Sequence, residues 1–340
     1  MTIGGRTSPT LDEVAELAGV SRATVSRVIN DSPRVSPEAR EAVHSAVAQL
    51  RYVPNRMARS LVTRRTDTIA LVLSESNSQV FTDPFFASMV RELSARLSDT
   101  DRALVLLAAR DRGEQEKVGR WVRQGHVDGV VLVSLHRDDL LPGLLRESNV
   151  PLVLLGRPLD GAAVSHVDTD NAAGAATATA YLVAAGRRRI ATVTGPLDMI
   201  AGVDRYAGYR RGLADAGLPL REELVEDGDF TEAGGARAMR ALLERAPDLD
   251  AVFVASDPMA VGALRALHDA GRTVPGDVAV VGFDDAVVAA TSDPPLTTVA
   301  QPLDEMTRLM VELLLRQVEG DADEPEVRIC DTRLVVRASA

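Results

Sequence analysis

Residues 11–30 have the sequence LDEVAELAGVSRATVSRVIN, which contains the helix signals of the N-terminal part of the chain. Thr10 and Glu13 have the spacing of a capping box, and apolar residues then recur at helical intervals. Gly19 is placed to end this first helix in the left-handed conformation. Ser21 is placed to cap a second helix. The stretch therefore predicts two short helices joined by a tight turn.

A third helix is predicted to start at the Ser36-Pro37 cap and to run to about Leu50. Two short helices braced by a third are typical of a helix-turn-helix. The outer face of the second helix carries short polar and arginine side chains, which suit a major groove where arginine pairs with guanine. A small helical bundle that does not read DNA is the alternative that this spacing leaves open.

The next stretch, YVPNRMARSL (52–61), is basic and contains one further helix signal. Asn55 is placed to cap a helix that would reach only about Val62, and such a short helix is marginal in water by itself. Leu61 would be an exposed apolar side chain on that basic helix, as in proteins that insert leucine between base steps of the minor groove. The alternative is a cationic linker with Leu61 packed on a neighbour.

The charge of the chain is divided unevenly. The whole sequence has 38 Lys+Arg and 49 Asp+Glu, a net charge of −11, which by itself argues against contact with nucleic acid. Residues 1–65 contain ten arginines and six acidic residues, a net charge of +4, so the rest carries −15. This asymmetry favours a small basic DNA-binding part on an acidic body.

These segments resemble the DNA-binding head of LacI/GalR-type transcriptional regulators, and the resemblance continues along the chain. The later matching segments are DPFF (83–86), DRYAGYRRGL (204–213), GDFTEAGGARAM (228–239), ASDPMAVGAL (255–264), VAVVGFDD (278–285), PPLTTVAQP (294–302) and RLVVRAS (333–339). The resemblance implies a head at 1–53, a hinge helix and linker at 54–66, and an effector-binding and dimerisation body at 67–340. It also implies a homodimer that reads two half-sites of a near-palindromic double-stranded operator.

The resemblance also implies the DNA-binding residues. Carried over by position, Arg22, Ala23 and Arg27 would face bases, and Leu61 would be the inserted leucine. The full expected set is Ser21, Arg22, Ala23, Thr24, Ser26, Arg27, Asn30, Arg34, Asn55, Arg56, Ala58, Arg59 and Leu61. Arg51 departs from the family, which usually has Gly or Asn there. If this position is left-handed, arginine costs up to about 1 kcal/mol relative to glycine.

From Thr68 onward, near-continuous apolar runs alternate with helical patterns, as expected for parallel strands buried on both faces. The sequence predicts a body of two doubly wound α/β lobes, and the resemblance adds a type I periplasmic-binding-protein-like fold with three crossings between lobes. We expect the first lobe at about 67–160 and 285–320, and the second at about 161–284 and 321–340. The expected crossings lie near 157–165, 284–297 and 319–333.

Ligands of such folds bind at the carboxyl ends of strands, in the cleft between lobes. Asp257 and Asp284 follow two predicted strands, and both positions hold effector in the resembled family. The full expected effector set is Phe86, Arg157, Arg205, Phe230, Asp257, Asp284 and Gln301. An arginine, carboxylates and aromatic faces suit a sugar. The alternatives are that the aspartates act as caps or turns and that Phe86 is core. Gly156 stands where relatives often have aspartate, which removes one acceptor.

Other classes of protein receive little support from the sequence. One cysteine, no secretory signal and no apolar run of spanning length favour a cytoplasmic protein without a membrane role. The five histidines lack metal-ligand spacing, and the motifs of nucleotide binding and hydrolysis are missing, so we expect no cofactor and no catalysis. A solute-binding protein of transport and an α/β enzyme with a regulatory head remain as alternatives. The absence of C-terminal leucine heptads argues against a coiled-coil tetramer.

Overall fold

The computed structural model describes residues 9–29, 32, 34–52, 65–322 and 324–340. Its contacts divide the chain into two units, Met1–Thr66 and Asp67–Ala340, here called the head and the body. The predicted boundary between head and hinge at residues 53 and 54 lies outside the described residues. Throughout the described ranges, we find no helix with the length and apolar character needed to span a bilayer.

The described part of the head contains the three predicted helices. They are α1 (Leu11–Ala18), α2 (Arg22–Ile29) and α3 (Pro37–Leu50). The capping box is formed, since the Glu13 backbone N–H donates to the Thr10 hydroxyl and the Glu13 carboxylate accepts from the Thr10 N–H. Gly19 ends α1 with φ 65°. The predicted apolar faces meet in one small core, which includes Val14, Val25, Val28, Val43, Ala46 and Tyr52.

Arg51 ends α3 in the left-handed conformation, with φ 50° and ψ 39°. Its backbone N–H donates to the carbonyl oxygens of Val47 and Ala48, which closes the last turn of the helix. The departure from glycine is therefore tolerated without a change of cap geometry. The side chain is exposed, and the backbone cost of up to about 1 kcal/mol remains in the folded head.

The body alternates strands and helices. Its strands are β1 (Thr68–Leu73), β2 (Ala103–Ala108), β3 (Gly129–Val133), β4 (Leu152–Leu155), β5 (His166–Thr169), β6 (Ile190–Thr194), β7 (Val225–Asp227), β8 (Ala251–Val254), β9 (Ala279–Asp284), β10 (Thr297–Ala300), β11 (Val327–Cys330) and β12 (Arg333–Val335). Its helices are α4 (Asn77–Thr82), α5 (Pro84–Ser98), α6 (Arg112–Arg123), α7 (Leu141–Arg146), α8 (Asn171–Ala184), α9 (Ile200–Asp215), α10 (Glu232–Arg245), α11 (Asp257–Asp269), α12 (Val287–Thr291) and α13 (Leu303–Glu319). A short 3-10 turn covers Glu222–Leu224.

Two six-stranded sheets organise these elements. The first sheet has the order β11-β5-β4-β3-β1-β2 and is parallel throughout, and the second has the order β12-β10-β9-β8-β6-β7. Only β12 in the second sheet runs antiparallel to its neighbour. Helices cover both faces of each sheet, and β1, β3, β6 and β8 are almost entirely buried. The predicted doubly wound α/β lobes are confirmed.

The expected lobe boundaries are wrong in three places. β5 pairs with β4 and β11, so residues 166–169 and 327–330 belong to the first lobe rather than to the second. β10 pairs with β9 and β12, so residues 297–300 belong to the second lobe rather than to the first. These strands are short and contain polar residues, so they did not stand out from connecting segments. The chain crosses between lobes after β5, after β10 and between β11 and β12.

Candidate functional site

A cleft with about 750 Å³ of empty space lies between the two lobes. It is bordered by the carboxyl ends of β3, β4 and β9 and by the first turns of α5, α8 and α9. Six of the seven predicted effector residues line it, namely Phe86, Arg157, Arg205, Phe230, Asp284 and Gln301. Clefts of this kind, at the carboxyl ends of parallel strands, are common ligand sites. The cleft is therefore the candidate effector site.

Arg205 is the central cation of the cleft and is only 5% exposed. Its Nε donates to Asn171 Oδ1 at 2.8 Å, and its Nη1 donates to the Ala255 carbonyl at 2.6 Å. The same Nη1 lies 3.1 Å from Asp284 Oδ1. The guanidinium carbon also lies 3.8 Å from the centre of the Phe283 ring, a cation–π distance. These contacts fix the guanidinium in one orientation at the floor of the cleft.

The close approach of α8 and α9 makes the contact between Asn171 and Arg205 possible. A Cβ on Gly208 of α9 would lie 2.2 Å from the backbone oxygen of Ala172, at the start of α8. Any side chain there would push the two helices apart. The glycine one turn after Arg205 therefore positions the arginine as well as packing the helices.

Asp284 is the last residue of β9 and carries the carboxylate opposite Arg205. Its φ of 115° is unusual for a residue with a side chain, and such strain concentrates at functional sites. Gln301 Nε2 donates to Asp284 Oδ1 at 2.7 Å. Burial raises the pKa of Asp284, and the neighbouring Arg205 and Gln301 oppose that shift. The three side chains form one polar group on the second lobe.

Asp257 does not line the cleft, in contrast to the other six predicted residues. It is fully buried at the start of α11, where Oδ1 accepts from the Thr298 hydroxyl at 2.6 Å and Oδ2 accepts from the Ala286 N–H at 2.7 Å. Burial and the nearby charge of Asp284 raise the pKa of Asp257. Its neighbour Ser256 is the residue that faces the cleft. In this structure Asp257 supports the loop after β9.

Aromatic side chains border the cleft from both lobes. Phe86 is 5% exposed, belongs to the core of the first lobe and also lines the cleft. Phe85 also lines the cleft, in edge-to-face contact with Phe86 at 5.7 Å between ring centres. Phe230 adopts φ 62° and approaches the cleft from the second lobe. Aromatic rings from both lobes therefore line the same cleft as the polar group, and the Phe230 ring centre lies 5.9 Å from the guanidinium carbon of Arg205.

Arg157 and Gly156 follow β4 at the edge of the cleft. Gly156 has φ 85°, a conformation in which an aspartate would be strained. The Arg157 backbone N–H donates to Asp168 Oδ2 at 3.2 Å. Arg157 Nη2 lies 2.6 Å from Asp204 Oδ1 of α9, so it joins the two lobes. Asp168 of β5 contributes a carboxylate to the lining of the same edge of the cleft.

Five polar residues of the cleft were absent from the predicted set: Asp83, Ser134, Asp168, Asn171 and Ser256. Asn171 donates to Asp168 Oδ1 at 3.1 Å and accepts from Arg205, so it connects the lobes. Burial raises the pKa of Asp83 to about 7, although its acceptance of the Phe85 N–H and the charge of Arg205 lower it. Asp83 is the first residue of the matched DPFF segment, so the resemblance could have identified it.

The candidate DNA-reading surface lies on α2 of the head. Arg22, Ala23 and Arg27 are exposed, and Arg22 Nη1 lies 3.4 Å from Asp12 Oδ2 with both side chains 68% exposed. Ser21 Oγ accepts from the Thr24 N–H at 3.1 Å, which confirms the predicted cap. Thus polar side chains occupy the outer face of α2, while its apolar face is buried in the head core.

The remaining DNA-binding predictions divide between two groups. Ser26 is half-buried on α2, and Arg34 is exposed just before α3. The others, Asn30, Asn55, Arg56, Ala58, Arg59 and Leu61, lie outside the described residues.

Metal binding finds no support in the described ranges, where His, Cys, Asp and Glu form no group of three suited to an ion. The described chemistry is that of a polar cleft and a cationic helix surface.

Two family models match the chain: "Bacterial regulatory proteins, lacI family" over residues 10–55 and "Periplasmic binding protein-like domain" over residues 179–340. The HTH-type transcriptional regulator CelR of Thermobifida fusca is 53% identical over 336 residues, covering 98% of this chain and 99% of that protein. The ribose operon repressor of Escherichia coli K12 is 37% identical over 315 residues, covering 91% and 93%.

Solved structures extend the similarity to the whole fold. One described as "transcriptional regulator CelR-cellobiose complex" has 51% identity and a TM-score of 0.79, covering 98% of this chain and 100% of the other. The lac repressor dimer bound to operator and the anti-inducer ONPF has 28% identity and a TM-score of 0.86, covering 98% and 99%. These relatives are regulators rather than enzymes or transport proteins. The chain therefore belongs to the LacI family of DNA-binding bacterial transcriptional regulators.

Proposed function

We propose that this protein is a cytoplasmic repressor whose affinity for its operator is changed by a small sugar bound in the cleft. The observation that carries the proposal is the buried pair of Arg205 and Asp284, held 3.1 Å apart in a cleft that is also lined by aromatic rings. A sugar presents hydroxyl groups around its edge and C–H groups on its faces. The cleft has complementary groups for both.

The polar groups suggest separate roles in sugar binding. Arg205, Gln301 and Asn171 provide N–H donors, and Asp284, Asp168 and Asp83 provide carboxylate acceptors. Phe86 and Phe230 would cover the ring faces. Cellobiose is the first ligand to test, because a relative of 51% identity has a solved structure described as its cellobiose complex.

The head supplies the proposed DNA contacts. In the proposed complex α2 lies in the major groove, with Arg22, Ala23 and Arg27 facing base edges and Ser21 and Thr24 facing the phosphate backbone. The predicted hinge residues Asn55, Arg56, Ala58 and Arg59 would follow the minor groove, where Leu61 would be inserted. A homodimer would place two heads on a near-palindromic operator, as the lac repressor dimer is bound to its operator.

The effector acts through a difference in affinity between two arrangements of the lobes. A ligand that binds the closed cleft more tightly shifts the population toward it and thereby changes the position of the hinges. The reciprocal effect must also hold, since operator binding must change effector affinity by the same factor.

Three measurements test these assignments. Isothermal titration of cellobiose should show binding that Arg205→Met removes, whereas an exposed control, Arg265→Met, should leave it unchanged. Operator sequences selected from random DNA should be near-palindromic. Arg27→Ala should lower the discrimination between bases at one operator position by about 1–3 kcal/mol. Leu61→Ala should reduce operator bending. No binding of cellobiose or of any sugar in a panel would contradict the effector assignment while leaving DNA recognition intact.

A further inference from the structure

His136 joins the two lobes beside the cleft. It lies in the segment that follows β3 of the first lobe, and its Nδ1 is 2.8 Å from Asp198 Oδ2 in the segment between β6 and α9 of the second lobe. The backbones of His136 and Met199 also form an isolated antiparallel bridge. Because Met199 lines the cleft, this contact between lobes is adjacent to the effector site.

The other ring nitrogen of His136 faces a carboxylate of its own lobe. His136 Nε2 lies 3.3 Å from Glu75 Oε1, which also accepts from the Ser134 hydroxyl at 2.7 Å. Glu75 is 6% exposed, and the His136 side chain is 10% exposed. Glu75 therefore holds the imidazole within the first lobe, where its other ring nitrogen faces Asp198 of the second lobe.

Two carboxylates at the two ring nitrogens require a particular protonation state. A neutral imidazole carries a single N–H and can donate to only one of them. The imidazolium donates to both, so only the charged ring satisfies Glu75 and Asp198 together.

The charged groups around the ring are acidic. From the first lobe they are Glu75 and Asp139, which accepts the His136 backbone N–H at 2.7 Å, and from the second lobe Asp198. Asp83 of the cleft interacts electrostatically with Glu75. Burial lowers the pKa of His136, but the hydrogen bonds and charges of Glu75 and Asp198 outweigh it and raise the pKa above its usual value.

We propose that His136 is a positioning residue for the effector, whose protonated ring ties the second lobe to the first and holds the cleft closed around a bound ligand. When the lobes separate, Asp198 leaves with the second lobe while Glu75 stays beside the ring. Closure is therefore favoured by the proton, and effector affinity falls as the ring loses it with rising pH. The predicted change in effector affinity rests on the proposed function, since it needs a ligand in the cleft, whereas the tie between the lobes does not.

A second contact between lobes provides a matched control. Arg157 and Asp204 also join the lobes at 2.6 Å, but the arginine remains charged at all relevant pH values. Asp204→Asn should weaken the closed state by a factor that does not change with pH. His268→Gln controls for the loss of a histidine, because that side chain is 91% exposed.

The test is titration of cellobiose into the full-length protein and its variants at about pH 6 and about pH 8.5, on either side of the usual histidine pKa. Other groups of the cleft titrate too, so the relevant quantity is the ratio of variant Kd to unmodified Kd at each pH. For His136→Gln we expect a ratio of about three- to tenfold at the lower pH, falling to about one at the higher. The Kd ratio of Asp198→Asn should also fall as the pH rises.

A His136→Gln ratio that stays constant with pH would overturn the proposal. If cellobiose binds no variant at either pH, the effector assignment fails, and the inference is tested without ligand. Spin labels at Lys117→Cys and Arg240→Cys then report the lobe separation, with buried Cys330 left unlabelled. His136→Gln should lengthen this distance at the lower pH only, and equal distances in both proteins at both pH values would overturn it.

Discussion

Replacing Arg205 by methionine removes the buried cation of the cleft while keeping most of its apolar volume. The change removes a donor from Asn171 Oδ1 and from the Ala255 carbonyl, and it removes the cation from the carboxylate of Asp284, which keeps the Gln301 amide. Arg205 is 5% exposed, so water does not readily replace these contacts. Breaking a buried ion pair by removing one partner costs about 3–5 kcal/mol, and we expect a loss of this size in the unfolding free energy of the body.

The loss should depend on the charge of Asp284. Asp284→Asn leaves an amide that can still accept from Arg205, so it alone should cost about 1–2 kcal/mol. In the double variant no buried carboxylate remains unpaired, so the combined loss should be smaller than the sum by about 2 kcal/mol. Arg205 opposes the rise that burial causes in the pKa of Asp284, so the penalty in Arg205→Met should be larger at neutral pH than in acid, where the carboxyl is protonated.

Urea unfolding followed by circular dichroism measures these differences. Arg265→Met is the control, since Arg265 pairs with Glu232 at 2.9 Å while their side chains are 59% and 49% exposed. Arg265→Met should lower the unfolding free energy by at most about 1 kcal/mol. Additive losses in the double variant, or a loss in Arg205→Met that is the same at acidic and neutral pH, would refute the account of the cleft.

Three further changes test other parts of the structure. Asp83→Asn keeps the N-cap of α5 but removes a carboxyl whose pKa is raised to about 7. Unfolding measured at different pH values should show that the variant is more stable above about pH 7 and that this gain disappears below about pH 4. The control Asp111→Asn, at the exposed cap of α6, should lack that gain. Arg51→Gly should stabilise the head by up to about 1 kcal/mol in calorimetry, and no gain would contradict the left-handed cap. Asp257→Ala should lower the melting temperature of the body, because Thr298 and Ala286 lose their acceptor; calorimetry that shows no change would contradict its supporting role.

Local signals with a clear physical cause were predicted from the sequence. The capping box at Thr10 and the left-handed turn at Gly19 depend on neighbouring residues alone, and both are present. The long apolar runs identified the buried strands, because parallel strands covered on both faces need continuous apolar sequence. The helix α8 was not identified, since alanine occupies several of its faces and leaves no distinct apolar stripe.

Features that depend on contacts between distant parts of the chain could not be predicted from the sequence. The pairing of β11 with β5 joins residues about 160 positions apart, and no local pattern encodes it. The direction of the Asp257 side chain is set by Thr298 and Ala286, which belong to later segments. Asn171 enters the cleft because α8 packs closely on α9. Residue type and position along a strand predicted which region forms the site, while tertiary contacts decide which side chains face it.

Operator titration with and without cellobiose measures whether a ligand in the cleft controls DNA binding by the head. Fluorescence anisotropy of labelled operator should show a change in Kd of about 5- to 150-fold when cellobiose saturates the unmodified protein, the range expected for allosteric coupling. Arg205→Met should bind operator as the unmodified protein does in the absence of sugar, and its Kd should stay constant when cellobiose is added. An operator affinity that is the same with and without a bound sugar would contradict the claim that the cleft controls the head.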